Sequence, residues 1–162
     1  MKIAVTGHRP NKLWGYGYKH PSYKILCETF KQLLLENNCT EAITGMALGV
    51  DQVFAMAVIG LKKAGYDIKL HCAIPCQNHS SKWLPESVRI YNTILKYSDN
   101  TVIVNDKPYT PQLMQLRNEY MVDLADKVIA VWDGSKGGTG NCVAYAKHKH
   151  KPIILVDPAS IK

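Results

Sequence analysis

Residues Val128–Ala146 read VIAVWDGSKGGTGNCVAYA. An unbroken apolar run, VIAVW, gives way to a turn holding Gly134, Gly137, Gly138 and Gly140, and then to the small and apolar residues of a helix. A short β-branched run of this kind is the pattern of a strand buried on both faces, as in a parallel sheet covered by helices. The glycines admit two readings. They form a plain turn capped by Thr139, or a cradle in which backbone N–H groups approach an anion with no Cβ in the way. The positive end of the following helix would favour the anion. The tetrapeptide GGTG is not the GxGxxG dinucleotide fingerprint and lacks the lysine of a P-loop, so neither of those motifs applies.

Outward from this stretch the same alternation repeats. KIAV (2–5), AIT (42–44), IKLHCAI (68–74), TVIV (101–104), KVIAVW (127–132) and PIILV (152–156) predict six strands. Between them, apolar residues recur at helical spacing: Leu26, Phe30, Leu33 and Leu34 over 21–37; Phe54, Ala57, Val58 and Leu61, stopped by Gly65; and Val88, Tyr91 and Leu95 behind Pro85. A fourth helix opens at Thr110-Pro111 with Leu113, Leu116, Tyr120 and Leu124 on its apolar face, and a fifth spans 139–149. The fold expected is α/β: one Rossmann-like domain over 1–162, a three-layer sandwich with a mostly parallel sheet and helices on both faces. The apolar character of both faces of KVIAVW and PIILV supports the two helical layers.

In open sheets of this type ligands collect beyond the carboxyl ends of the strands. Three of the loops there carry glycine. TGHRP (6–10) offers Gly7, His8 and Arg9, with Arg9 suited to a charge-assisted contact to phosphate. TGMALGVD (44–51) offers Gly45, Met46 and Gly49, followed by Asp51 at a helix start, where a carboxylate complements the helix dipole or bonds a ribose hydroxyl. WDGSKGGTG (132–140) offers Asp133, Gly134, Gly137, Gly138, Thr139 and Gly140. The first loop continues as NKLWGYGYKHPS (11–22), where Trp14, Tyr16 and Tyr18 alternate with Gly15 and Gly17 between Lys12 and Lys19. Such a loop is a lid whose rings stack on a base, or a cover for the sheet edge or a dimer contact. His71, Cys72, Cys76 and His79 approach zinc-ligand spacing, but neighbours on a strand point to opposite faces, so no metal site is expected.

The chain has 162 residues, of which 46% are hydrophobic, which fits an ordinary core. No apolar run approaches a membrane span, and the N-terminus enters a strand at once, so neither a signal peptide nor a membrane partner is expected. Five scattered cysteines suit reduced thiols in the cytoplasm better than a disulfide framework. A net charge of +7 attracts anions without choosing among them.

TGMALGVD resembles the glycine-rich segment of the DNA-processing protein A family, and RNEYMVDLADKVIAVWDGSKGGTG (117–140) resembles the core of the Lonely-guy nucleotide hydrolases. Arg117, Asn118, Met121 and Ala125-Asp126 stand where that family carries its arginine–lysine pair, methionine and "AD". Both families belong to the SLOG superfamily, and TGHRP with DGSKGGTG looks most like its YpsA-like bacterial and phage branch. The resemblance implies a nucleotide or nucleotide-derived ligand at the three loops and at Arg117, with the protein acting as sensor, carrier or sequestering module. It also implies a homo-oligomer, for which Trp14, Trp83 and Tyr109 are loop aromatics on offer.

Two alternatives are carried: a nucleotide N-glycosidic hydrolase or transferase, related also to nucleoside deoxyribosyltransferases, and a nucleic-acid-binding protein. The enzyme reading meets a departure. The glutamate that the hydrolases need after the glycine loop falls on Ala144, Lys136 replaces the loop proline, and Asn118 replaces the lysine. A carboxylate would stabilise the oxocarbenium-like state of glycosidic cleavage. The candidates left for catalytic roles are Arg117, Glu119, Asp133 and Asp51, and no cofactor is implied.

Overall fold

The computed structural model describes residues 1–162. Its strands are β1 (Lys2–Gly7), β2 (Glu41–Thr44), β3 (Lys69–Ile74), β4 (Asn100–Ile103), β5 (Lys127–Val131) and β6 (Ile153–Val156). They form one sheet in the order β4-β3-β2-β1-β5-β6, with every pairing parallel. Five helices make the crossovers: α1 (Pro21–Glu36), α2 (Val50–Lys63), α3 (Pro85–Lys96), α4 (Pro111–Leu124) and α5 (Gly138–His148). The chain steps outward from β1 to β4, with α1, α2 and α3 packed side by side. It then returns through α4 to β5 on the far side of β1, and α5 packs beside α4. The mostly parallel, helix-covered sheet expected from the strand–helix alternation is thus the fold found.

Strand alternation decides which layer each side chain meets. In β1, Ile3 and Val5 join the larger core with Leu26, Phe30 and Phe54, whereas Ala4 faces the smaller cluster with Met121 and Ala125. Phe30 and Phe54 meet edge to face at 5.2 Å, and burying each such side chain contributes roughly 1.5–3 kcal/mol. In β3, Cys72 lies in the larger core while the adjacent His71 bonds Tyr120 Oη at 3.0 Å on the opposite face. That geometry separates the two residues, and no group of three metal-ligating side chains forms anywhere in the chain.

Two expectations are corrected. The inward row of α4 is Leu113, Arg117 and Met121, not the stripe through Leu116, which is 47% exposed. The true row runs at i, i+4, i+8, and an arginine in its middle disguises it as polar. Moreover, PIILV is an edge strand: β6 pairs only with β5, and Leu155 is 58% exposed. No helix is long and apolar enough to cross a membrane.

Candidate ligand site at the carboxyl edge of the sheet

β1 and β5 are neighbours whose crossovers depart to opposite faces, the point at which a doubly wound sheet opens a crevice. Their register sets Gly7 beside Val131, so the chain leaves both strands side by side. His8, buried, places Nε2 at 2.9 Å from Asp133 Oδ1. The Ser135 N–H donates to the same oxygen at 2.9 Å. Ser135 and then His8 hold the Asp133 carboxyl well below its ordinary range.

The loop after β2 is pressed against the loop after β1. The Val50 N–H donates to the His8 carbonyl at 3.2 Å. Gly49 has φ 95°, and a Cβ there would lie 2.5 Å from the His8 carbonyl oxygen and 2.9 Å from Arg9 Cα. A Cβ on Gly7 would lie 2.5 Å from the Val50 side chain. These two glycines let the loops touch. Met46, fully buried with φ 62°, donates its N–H to Thr44 Oγ1 at 3.3 Å and anchors the loop from inside.

Arg117 enters from α4 and is only 4% exposed. Its Nη1 donates to the Gly45 carbonyl, and its Nε donates to Asn118 Oδ1 at 2.9 Å. A Cβ on Gly45 would lie 2.5 Å from Nη1, so that glycine makes room for the guanidinium. Asp51 is also buried, and its Oδ2 accepts the Ala47 N–H at 3.2 Å. Burial pushes the Asp51 carboxyl up, opposed by Arg117; burial pushes Arg117 down, opposed by Asp51. Yet the two do not form a contact ion pair, and no carboxylate does so with Arg117.

These groups surround a cavity of about 280 Å³. Of the residues expected from sequence, Gly7, His8, Arg9, Asp51, Arg117, Gly138 and Thr139 line it. Gly45, Met46, Gly49 and Asp133 do not line it: Gly45 packs against Arg117, Gly49 against the His8 carbonyl, and Asp133 bonds His8. Gly134 and Gly137 carry φ of 87° and 147° in the turn before α5, while Gly140 packs 3.1 Å (as Cβ) from the Ser135 carbonyl oxygen. A Cβ on Gly138, the first residue of α5, would meet nothing within 4 Å. Glu119 does not reach the cavity; it accepts from Gln115 Nε2 at 3.2 Å along α4. Ala144 is exposed on α5. Asp51 is therefore the one carboxylate lining this space.

Sequence reasoning passed over several contributors. Lys12 lines the cavity and donates from Nζ to Ser135 Oγ at 3.3 Å, tying the first loop to the last. Beyond Arg9, Ala47 and Met114, which border both spaces, a second cavity of about 310 Å³ opens between Asn78, His79, Trp83 and Tyr109. The Tyr109 N–H donates to Asn78 Oδ1 at 2.9 Å, closing that wall across two loops. The rings read as a lid are mostly engaged elsewhere. Trp14 packs edge-on against Tyr23 at 5.1 Å, and Tyr18 Oη donates to Gln52 Oε1 at 2.6 Å and accepts the Gly49 N–H at 3.0 Å. Only Tyr16 is exposed.

His79 is buried, and neither ring nitrogen has a hydrogen-bond partner. Burial, with the positive charges of Arg117 and Arg9, pushes its pKa down to about 3. Between about pH 6.5 and about pH 3 the unfolded chain binds a proton at this residue that the folded chain does not, so its contribution to stability falls as pH falls. Denaturant unfolding should show stability declining from neutral pH across this window. His79→Phe should remove part of the slope, and an unchanged slope would contradict the assignment.

The family model described as the YspA SLOG family matches residues 3–160. The SPbeta prophage-derived protein YoqJ of Bacillus subtilis is 36% identical over 133 residues, covering 75% of this chain and 78% of the relative. A UPF0398 protein of Halalkalibacterium halodurans is 27% identical, covering 99% of this chain and 89% of its own length. Among solved structures, DNA processing protein A from Streptococcus pneumoniae superimposes with a TM-score of 0.67 at 17% identity over 95% of this chain, which spans 49% of that protein. The Helicobacter pylori protein of the same name, solved for its single-stranded DNA binding mode, gives 0.66 at 19% identity, covering 99% of this chain and 70% of its own. At these identities the two structures establish likeness of fold.

Proposed function

The chain belongs to the YspA SLOG family, and we propose that it binds a nucleotide or nucleotide-derived ligand, holding its phosphate in the cavity between β1, β5 and α4. The observation that carries this reading is Arg117: a buried guanidinium without a carboxylate in contact, on a cavity it shares with Arg9 and Lys12. Burying a charge is costly unless it is paired. A phosphate supplies the missing anion and suits the planar fork of an arginine. The open N-terminal turn of α5 at Gly138 adds backbone donors and the positive end of the helix.

A binding role fits the lining better than glycosidic cleavage. Asp51, the single carboxylate in reach, is buried, with its carboxyl pushed toward the neutral form. A nucleic-acid ligand is favoured by the net charge of +7 and by the single-stranded DNA binding mode described for the Helicobacter pylori structure. Titration calorimetry with nucleoside monophosphates and with a long single-stranded oligonucleotide separates these readings. The mononucleotide should bind with a much shallower salt slope than the oligonucleotide; binding confined to the oligonucleotide, with a steep salt slope, would favour nucleic acid instead. Arg9→Ala removes one charge-assisted bond of roughly 1.5–3 kcal/mol, and so should weaken mononucleotide binding about tenfold or more. Gly138→Val should weaken it similarly, because a β-branched side chain at the first residue of α5 would obstruct approach to the helix N-terminus, while its Cβ meets nothing within 4 Å. Parent-like affinity in both variants would place the site elsewhere.

A further inference from the structure

Resting on the phosphate reading above, we propose that the adjoining cavity between His79, Trp83 and Tyr109 is a nucleobase subsite, in which a ring nitrogen of His79 bonds the edge of the base. The cavity, about 310 Å³, lies at the small end of the range for ligand pockets, roughly 300–1,000 Å³. That suits one nucleoside rather than a dinucleotide. It adjoins the polar cavity at Arg9, Ala47 and Met114, which border both. A single molecule with an anionic end and a flat apolar end would therefore fill both compartments.

The lining matches that flat end. Trp83 and Tyr109 supply aromatic rings, Pro108 and Met114 give apolar walls, and Asn78 Oδ1 accepts the Tyr109 N–H. Aromatic faces accept any base by stacking, so they confer affinity without choice. Choice needs an edge contact, and His79 is the buried side chain free to make one. It is 8% exposed, with both ring nitrogens unpartnered and closed to solvent, so the bond forms as the ring turns toward a base entering the cavity. Its ring packs edge-on against Trp83 at 4.9 Å and Tyr91 at 5.9 Å. A neutral imidazole has one donor and one acceptor nitrogen, so it can read either kind of group on a base edge. A site built to hydrogen-bond its ligand rejects an isostere lacking the bond, because its own polar group is then left unpaired.

The test compares ribose 5-phosphate with AMP, GMP, CMP and UMP by calorimetry on the full chain and on two variants. His79→Phe keeps a ring against Trp83 and Tyr91 but has no nitrogen. Tyr109→Ala trims an exposed residue at the cavity mouth, so its folding is secure. In the parent chain at least one nucleoside monophosphate should bind about tenfold or more tightly than ribose 5-phosphate. His79→Phe should erase discrimination among the four bases, Tyr109→Ala should weaken all four, and ribose 5-phosphate should bind every variant alike. If nucleotides bind no tighter than ribose 5-phosphate, or discrimination survives His79→Phe, this inference is overturned while the phosphate reading stands. If neither ribose 5-phosphate nor any nucleotide binds, both fall.

Discussion

Replacing Arg117 with methionine should cost roughly a hundredfold in nucleotide affinity. The guanidinium is buried beside the Gly45 carbonyl and Asn118, and its surroundings hold no carboxylate in contact. A bound phosphate would take two of its N–H groups at once, each such bond contributing roughly 1.5–3 kcal/mol. Losing about 3 kcal/mol corresponds to a little over a hundredfold in Kd. Methionine keeps most of the side-chain length, but it also removes the positive charge that opposes the burial of Asp51, so stability falls as well. The Gly45 carbonyl loses its donor, worth about 1 kcal/mol. Lysine should fall between parent and methionine, since it keeps the charge but not the fork. Calorimetry for affinity and a thermal melt for stability decide the matter. A methionine variant that binds mononucleotide within threefold of the parent would remove Arg117 from the site.

The same residue shows what sequence makes legible. The layers were readable because two periods, strand and helix, alternate along the whole chain, and buried strands such as KVIAVW leave an unbroken apolar run. The loops could be chosen because a parallel sheet puts every strand end on one edge. What period alone misplaced was the face of α4: Leu113, Arg117 and Met121 point inward, and a charged residue in the buried row shifts the apparent stripe toward Leu116. The second cavity was illegible for another reason. His79 and Trp83 follow β3, Tyr109 follows β4, and Met114 lies on α4, so their meeting depends on the course of two irregular loops. His79 carried a signal only as a member of a metal-like spacing, and its unpartnered nitrogens are a property of the folded chain. Conversely, Trp14 and Tyr18 looked like stacking rings because sequence shows where a ring lies, not that Tyr23 and Gln52 already hold it.

Gly49→Ala should lower stability by about 3 kcal/mol. Two costs combine. The residue sits at φ 95°, a backbone conformation that L side chains rarely adopt, at a cost of about 1–3 kcal/mol. Its Cβ would also lie 2.5 Å from the His8 carbonyl oxygen and 2.9 Å from Arg9 Cα, both backbone atoms that cannot swing aside as a side chain would. Overpacking of this kind costs typically 1–3 kcal/mol. Relief requires the TGHRP loop to move, stretching the 3.2 Å bond from the Val50 N–H to the His8 carbonyl. That movement carries His8 away from Asp133 and Arg9 away from the boundary of the two cavities. For a chain of this length the melting temperature should fall by roughly 6–12 °C, and nucleotide affinity should fall with it. Gly138→Ala is the matched control, since its Cβ meets nothing within 4 Å and it begins a helix. It should melt within a degree or two of the parent. If the two alanine variants melted alike, the contact between the first two loops would not be what Gly49 serves, and the glycines of this edge would have to be explained one by one from the ligand side.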